Sequence, residues 1–143
     1  MNHEARIRCS LPRRLAAMFY DGLLLIALWM LATAAVLPLT GGEAVTSGNW
    51  IFRGYLLLIA GIFLCGFWWR AGRTLGMQAW RLRVVTMSDG DRPSATQACI
   101  RFAAALLSWL PLGLGFLWVL LDRDGLAWHD RLSGTRLIVE PKR

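Results

Sequence analysis

The chain has 143 residues, of which 56% are hydrophobic and only 17% charged, with eight tryptophans and a mean hydropathy of +0.44. Soluble domains carry nearer 25% charged residues, roughly, and a chain this small buries too little of its surface to hide so much apolar area. The composition therefore excludes an ordinary soluble globule and points to a bilayer as the solvent. The net charge is +7 and the pI about 10.6. The basic residues are nearly all Arg and sit just outside apolar runs, which is how positive charge fixes membrane orientation and not the footprint of a nucleic-acid binder.

The first apolar run, residues 15–37, is broken only by Asp21. As a helix it is about 34 Å long, enough to span a bilayer. Pro38, Thr40, Gly41 and Gly42 end it. The basic N-terminus, the Arg13-Arg14 pair and Ala32-Thr33-Ala34 imitate secretory signals. A charge at Asp21 within the apolar core, and continuation of the run beyond the would-be cleavage site, favour a retained membrane helix. The second run, residues 50–69, has Arg53 near its start, which must snorkel outward for the segment to span. Trp50, Trp68 and Trp69 stand at its ends as interfacial anchors do.

Residues 70–98 are polar. Within them residues 82–86 are β-branched and short, and 88–93 read as a turn, so a strand followed by a turn is expected. Ser94 or Thr96 can cap the next helix. A third membrane segment covers residues 99–121, with Arg101 at its edge and Trp109-Leu110-Pro111-Leu112-Gly113-Leu114-Gly115 in its middle. Such breakers either kink one helix or turn a hairpin of two short ones. In the tail, residues 135–139 read as a second strand. The expected fold is an all-α integral membrane protein in a single domain over residues 1–143. It has two transmembrane helices, a third Pro/Gly-broken segment and a small cytoplasmic two-stranded β element.

Charge sets the topology. Arg6, Arg8, Arg13 and Arg14 precede the first run, and the loop after it has no Arg or Lys. Arg70, Arg73, Arg81, Arg83 and Arg92 occupy the middle, and Arg123, Arg131, Arg136, Lys142 and Arg143 the tail. The positive-inside rule puts the N-terminus, middle and C-terminus in the cytoplasm. A third plain span would carry the basic tail outside, so a re-entrant hairpin turning at residues 111–115 is favoured over a kinked span. The two strands can pair only if both lie on one side.

The chemistry is sparse. Cys9, Cys65 and Cys99 form no CxxC, and His3 and His129 have no metal-ligand spacing. No Ser-His-Asp constellation, phosphate loop or HExxH motif is present, so neither enzymatic activity nor a cofactor is expected. Asp21 is the most informative residue, because an ionisable group at that depth is costly and defaults to a functional hypothesis. It equally suits a structural pairing: Arg14, seven residues earlier, shares its helix face. Arg101 either snorkels to the headgroups or faces inward to meet a carboxylate, with Asp122, Asp124 and Asp130 as candidate partners. Gly72 and Gly76 suggest a turn or a close backbone approach.

Three segments carry a family resemblance. Arg13-Arg14-Leu15-Ala16-Ala17-Met18-Phe19-Tyr20-Asp21 resembles the opening of the RDD family of membrane proteins. Gly72-Arg73-Thr74-Leu75-Gly76-Met77-Gln78-Ala79-Trp80-Arg81-Leu82-Arg83-Val84-Val85 resembles its middle motif, and His129-Asp130-Arg131-Leu132-Ser133-Gly134-Thr135-Arg136-Leu137 its closing one. The family is named for one Arg and two Asp. Arg14 and Asp21 match the first two, and Asp130, with Asp122 as runner-up, matches the last. The resemblance implies a bacterial inner-membrane protein with no assigned general activity. Ligand transport and, in some relatives, sodium–proton antiport are the suggested roles.

A charge cluster of Arg14, Asp21 and Asp130 near the cytoplasmic face is expected, with Arg101 or Arg131 supplying the second positive charge. The expected function is a non-enzymatic membrane module whose partners are the bilayer, further copies of itself or other membrane proteins. The alternative is a cation- or proton-coupled transporter using Asp21. The apolar runs offer Thr33, Ser108 and little else to line a path.

Overall fold

A computed structural model describes residues 9–141; Arg6, Arg8, Lys142, Arg143 and His3 lie outside these. Helix α1 runs Leu11–Val36, with Pro12 in its first turn, and tightens into a 3-10 turn, Leu37–Thr40, that Gly41 closes at φ +67°. It starts four residues before the apolar run because Arg13 and Arg14 belong to its first turns. Asn49 then caps α2, Trp50–Ala71, its side chain accepting from the backbone N–H groups of Ile51 and Phe52 at 3.1 Å each. Gly72, at φ +68°, ends α2 by donating its N–H to the Trp68 carbonyl. Both helices are long and apolar enough to cross a membrane. None of α1's most apolar stretch, and 6% of α2's, is buried within the chain.

Beyond α2 come α3 (Leu75–Ala79), β1 (Leu82–Thr86) and α4 (Ala95–Trp109). Helix α4 opens with a reciprocal cap, Ser94 accepting from the Gln97 N–H and Gln97 returning to the Ser94 N–H. It stops at Pro111-Leu112-Gly113, where Leu112 and Gly113 both take positive φ, 55° and 80°. Left-handed backbone at a leucine is uncommon, and two such residues in succession reverse the chain. Helix α5 (Leu114–Leu117) and a following 3-10 turn (Trp118–Leu120) leave at 108° to α4. Gly115 makes this bend close-packed: a Cβ there would lie 2.6 Å from the Ser108 side chain.

Helix α6 (Trp128–Ser133) and β2 (Thr135–Val139) complete the chain. The strands pair antiparallel, Leu82 opposite Val139 and Thr86 opposite Thr135. Leu82, Val84, Leu137 and Val139 turn inward and form a core with Ala17, Trp68, Met77 and Ala98. These contacts bring the start of α1, the end of α2 and the start of α4 to the sheet, so all three helix ends lie together. A two-stranded ribbon is marginal alone; here the helix ends support it. Arg73 braces the edge by pairing with Glu140 at 2.7 Å.

Candidate functional site

On α1, Arg14, Ala17 and Asp21 are buried along one face, at the three- and four-residue spacing that stacks helix side chains. The two ends of that stripe meet different partners. At the outer end, Asp130 in the first turn of α6 is fully buried. Its Oδ2 accepts from Arg14 Nη1 at 2.8 Å and from the Ala127 N–H at 3.1 Å, and its Oδ1 from Arg101 Nη1 at 2.5 Å. Arg101 Nη1 also donates to Thr135 Oγ1 at 2.9 Å, and its guanidinium stacks 5.2 Å above the Trp68 ring. Arg14 Nη2 reaches the Gly125 carbonyl at 3.2 Å. One carboxylate thus fastens α1, α4, α6 and β2 together. Burial alone would raise the Asp130 pKa, but the Arg101 and Arg14 charges outweigh it and hold the carboxyl well below its ordinary range. Beside it, burial and then the Arg101 charge push the His129 imidazole down to about 3, so it is neutral.

Asp21 does not join that cluster. Among the described residues it makes no ion pair; its Oδ2 accepts from the Thr74 hydroxyl and its Oδ1 from the Gly76 N–H at 2.9 Å. The cause is α3. The Thr74 hydroxyl accepts from the Met77 N–H while donating to Asp21. Gly76 lets the α3 backbone press onto α1: a Cβ there would stand 2.4 Å from the Ala17 carbonyl oxygen. Asp122 stays apart as well. It accepts from Arg131 and from the Leu126 and Asp124 N–H groups in the turn before α6. Its pKa is lowered, first by the Leu126 N–H.

Arg14, Asp21, Arg101 and His129 line a cavity of 240 Å³ whose remaining wall is almost wholly apolar. The described residues hold no group of three His, Cys, Asp or Glu suited to a metal, and their cysteines are all free.

A family model for the RDD family matches residues 8–134. The chain belongs to the RDD family. The matched stretch contains Arg14, Asp21, Arg101 and Asp130, together with Thr74 and Gly76, and stops just short of β2. This RDD chain is also 31% identical over 88 residues to an uncharacterized protein of Rickettsia prowazekii (strain Madrid E), an alignment covering 62% of this chain and 48% of the relative. The aligned part is about half the length of that relative. No solved structure matches the chain. Trp68, expected as an interfacial anchor, is instead buried in the core beneath Arg101; the residues that sequence reasoning missed, Thr74 and Thr135, bear no charge. Their signal was proximity to a motif: Thr74 and Thr135 lie inside the middle and closing RDD segments.

Proposed function

We propose that this RDD protein is a non-catalytic, multi-pass module of the bacterial inner membrane, with its N-terminus in the cytoplasm, that acts as an oligomer or with other membrane proteins. The observation that carries this reading is the uncovered flank of the two candidate spans, set against an interior whose carboxylates are already committed. Asp130 is closed by two guanidiniums and a backbone N–H, and Asp21 by Thr74 and Gly76. Groups so engaged suit bracing better than chemistry. The free apolar faces of α1 and α2 suit lipid and neighbouring helices. The 108° break between α4 and α5, together with the basic tail, supports a re-entrant third segment. Purification in mild detergent tests this: a stoichiometric complex or a defined oligomer is expected, and a strictly monomeric chain that co-purifies with nothing would sink it.

A second reading, cation- or proton-coupled transport through Asp21, is favoured by the position of that carboxylate on the cavity wall without an ion pair among the described residues. An Asp21→Asn variant that folds normally but loses a pH- or salt-dependent growth phenotype would support it. One that folds and keeps the phenotype would end it.

A further inference from the structure

We propose that the cavity between α1, α4 and α6 is a binding site for a single-chain carboxylic acid lipid, its carboxyl group held at Arg14, Arg101 and His129. This goes beyond the module reading and does not rest on it, because it needs only the folded chain. Arg14, Trp68, Arg101 and His129 line the cavity, and Arg14 Nε, Trp68 Nε1, Arg101 Nε and His129 Nδ1 are buried and have no hydrogen-bond partner among the described residues. The side chains of Arg14, Arg101 and His129 are only 7%, 2% and 9% exposed. A single orphaned buried nitrogen is unexceptional; four on residues lining one cavity suit a polar ligand group.

The chemistry of that group follows from the donors and acceptors. An arginine Nε–H can only donate, so the group must bring acceptor oxygens. His129 Nε2 lies 3.6 Å from Asp130 Oδ1, which favours the proton on Nε2 and leaves Nδ1 as an acceptor. A carboxyl group supplies both: a carbonyl oxygen for a guanidinium and, when protonated, an O–H for Nδ1. Charge agrees. The two guanidiniums are matched by the carboxylates of Asp130 and of Asp21, which also lines the cavity, so the group need bring no charge and a protonated carboxyl fits.

The rest of the wall selects a hydrocarbon chain. Met18, Leu25, Leu64 and Ala105 offer no polar side-chain partner. The 240 Å³ volume falls just under the roughly 300–1,000 Å³ of small-molecule sites, which suits one chain and not a two-chain phospholipid. Gly22 also lines the space, and a Cβ built on it meets nothing within 4 Å, so a larger side chain there can enter the cavity without disturbing the backbone.

The test uses the full chain in nonionic detergent and ω-bromoundecanoic acid, whose bromine quenches tryptophan; Trp68 and Trp109 line the cavity. Saturable partial quenching by the acid is expected. Its methyl ester should bind about tenfold more weakly, as loss of the O–H hydrogen bond to His129 Nδ1 implies. Gly22→Leu should abolish the saturable phase while keeping the elution profile and thermal midpoint of the unaltered chain. His129→Leu should weaken it. Non-saturable quenching, equal quenching by acid and ester, or unchanged quenching in a folded Gly22→Leu variant would overturn the proposal.

Discussion

Replacing Asp130 with Asn isolates the charge at the centre of the clasp. The side chain keeps its shape and one acceptor oxygen, but its amide N–H groups now confront a guanidinium donor. Arg14 and Arg101 stay 6% and 1% exposed with no countercharge in contact. Removing one partner of a buried ion pair costs about 3–5 kcal/mol, and here a single carboxylate serves two cations, so the upper part of that range is expected. For a chain of this length the thermal midpoint in detergent should fall by roughly 10 °C or more, read by loss of the monodisperse chromatographic peak after heating. Asp122→Asn, which weakens the Arg131 pairing and the turn bonds to the Leu126 and Asp124 N–H groups but leaves Arg14 and Arg101 paired, is the comparison and should lower the midpoint by less. Converting Arg14, Asp130 and Arg101 together to Met, Leu and Met should recover part of the loss, because it removes the desolvation of all three charges. An Asp130→Asn protein melting like its parent would refute the clasp as the fastening of these elements.

Gly76→Ala should destabilise by at least about 1–3 kcal/mol, since its Cβ would overlap the Ala17 carbonyl and push α3 off Asp21; a low yield of folded protein measures it. Stability should also fall on acidification. The unfolded chain protonates His129 near its ordinary 6.5 while the folded chain resists to about 3. Stability is therefore full above pH 6.5 and declines between those values, by up to about 1.4 kcal/mol per pH unit. Asp130, held below the usual carboxylate range, adds a loss of the same sign at still lower pH. Melting at pH 7 and 5 should show the drop, and His129→Gln should flatten it; equal slopes in both proteins would refute the assignment. Reporter fusions near Ser47 and after Glu140 should read periplasmic and cytoplasmic respectively, and a periplasmic signal after Glu140 would restore a plain third span.

The elements were largely legible, for identifiable reasons. Leu82–Thr86 and Thr135–Val139 were visible because β-branched pairs stand between turn residues, and they pair in full register. The break after Trp109 followed from Pro111 and Gly113. The true start of α1 was hidden because Arg14 looked like a boundary charge; nothing local says that Asp130 neutralises it. Helix α3, five residues long, lies below the length at which periodicity speaks. The partners of Asp21 were hidden for a deeper reason. A hydroxyl and a glycine N–H satisfy the carboxylate, and charge counting looks only for opposite charges.

Arg14 and Asp130 are 116 residues apart in sequence, which gives the clasp a place in time. As the chain is synthesised, α1 emerges long before the countercharge of Arg14 exists. The same holds for Arg101, 29 residues ahead of Asp130. The seam closes only when α6 and β2 emerge, making it a late, long-range event of the kind that slows folding. A nascent chain interrupted between α4 and α6 carries two guanidiniums without the carboxylate that a finished one shares between them.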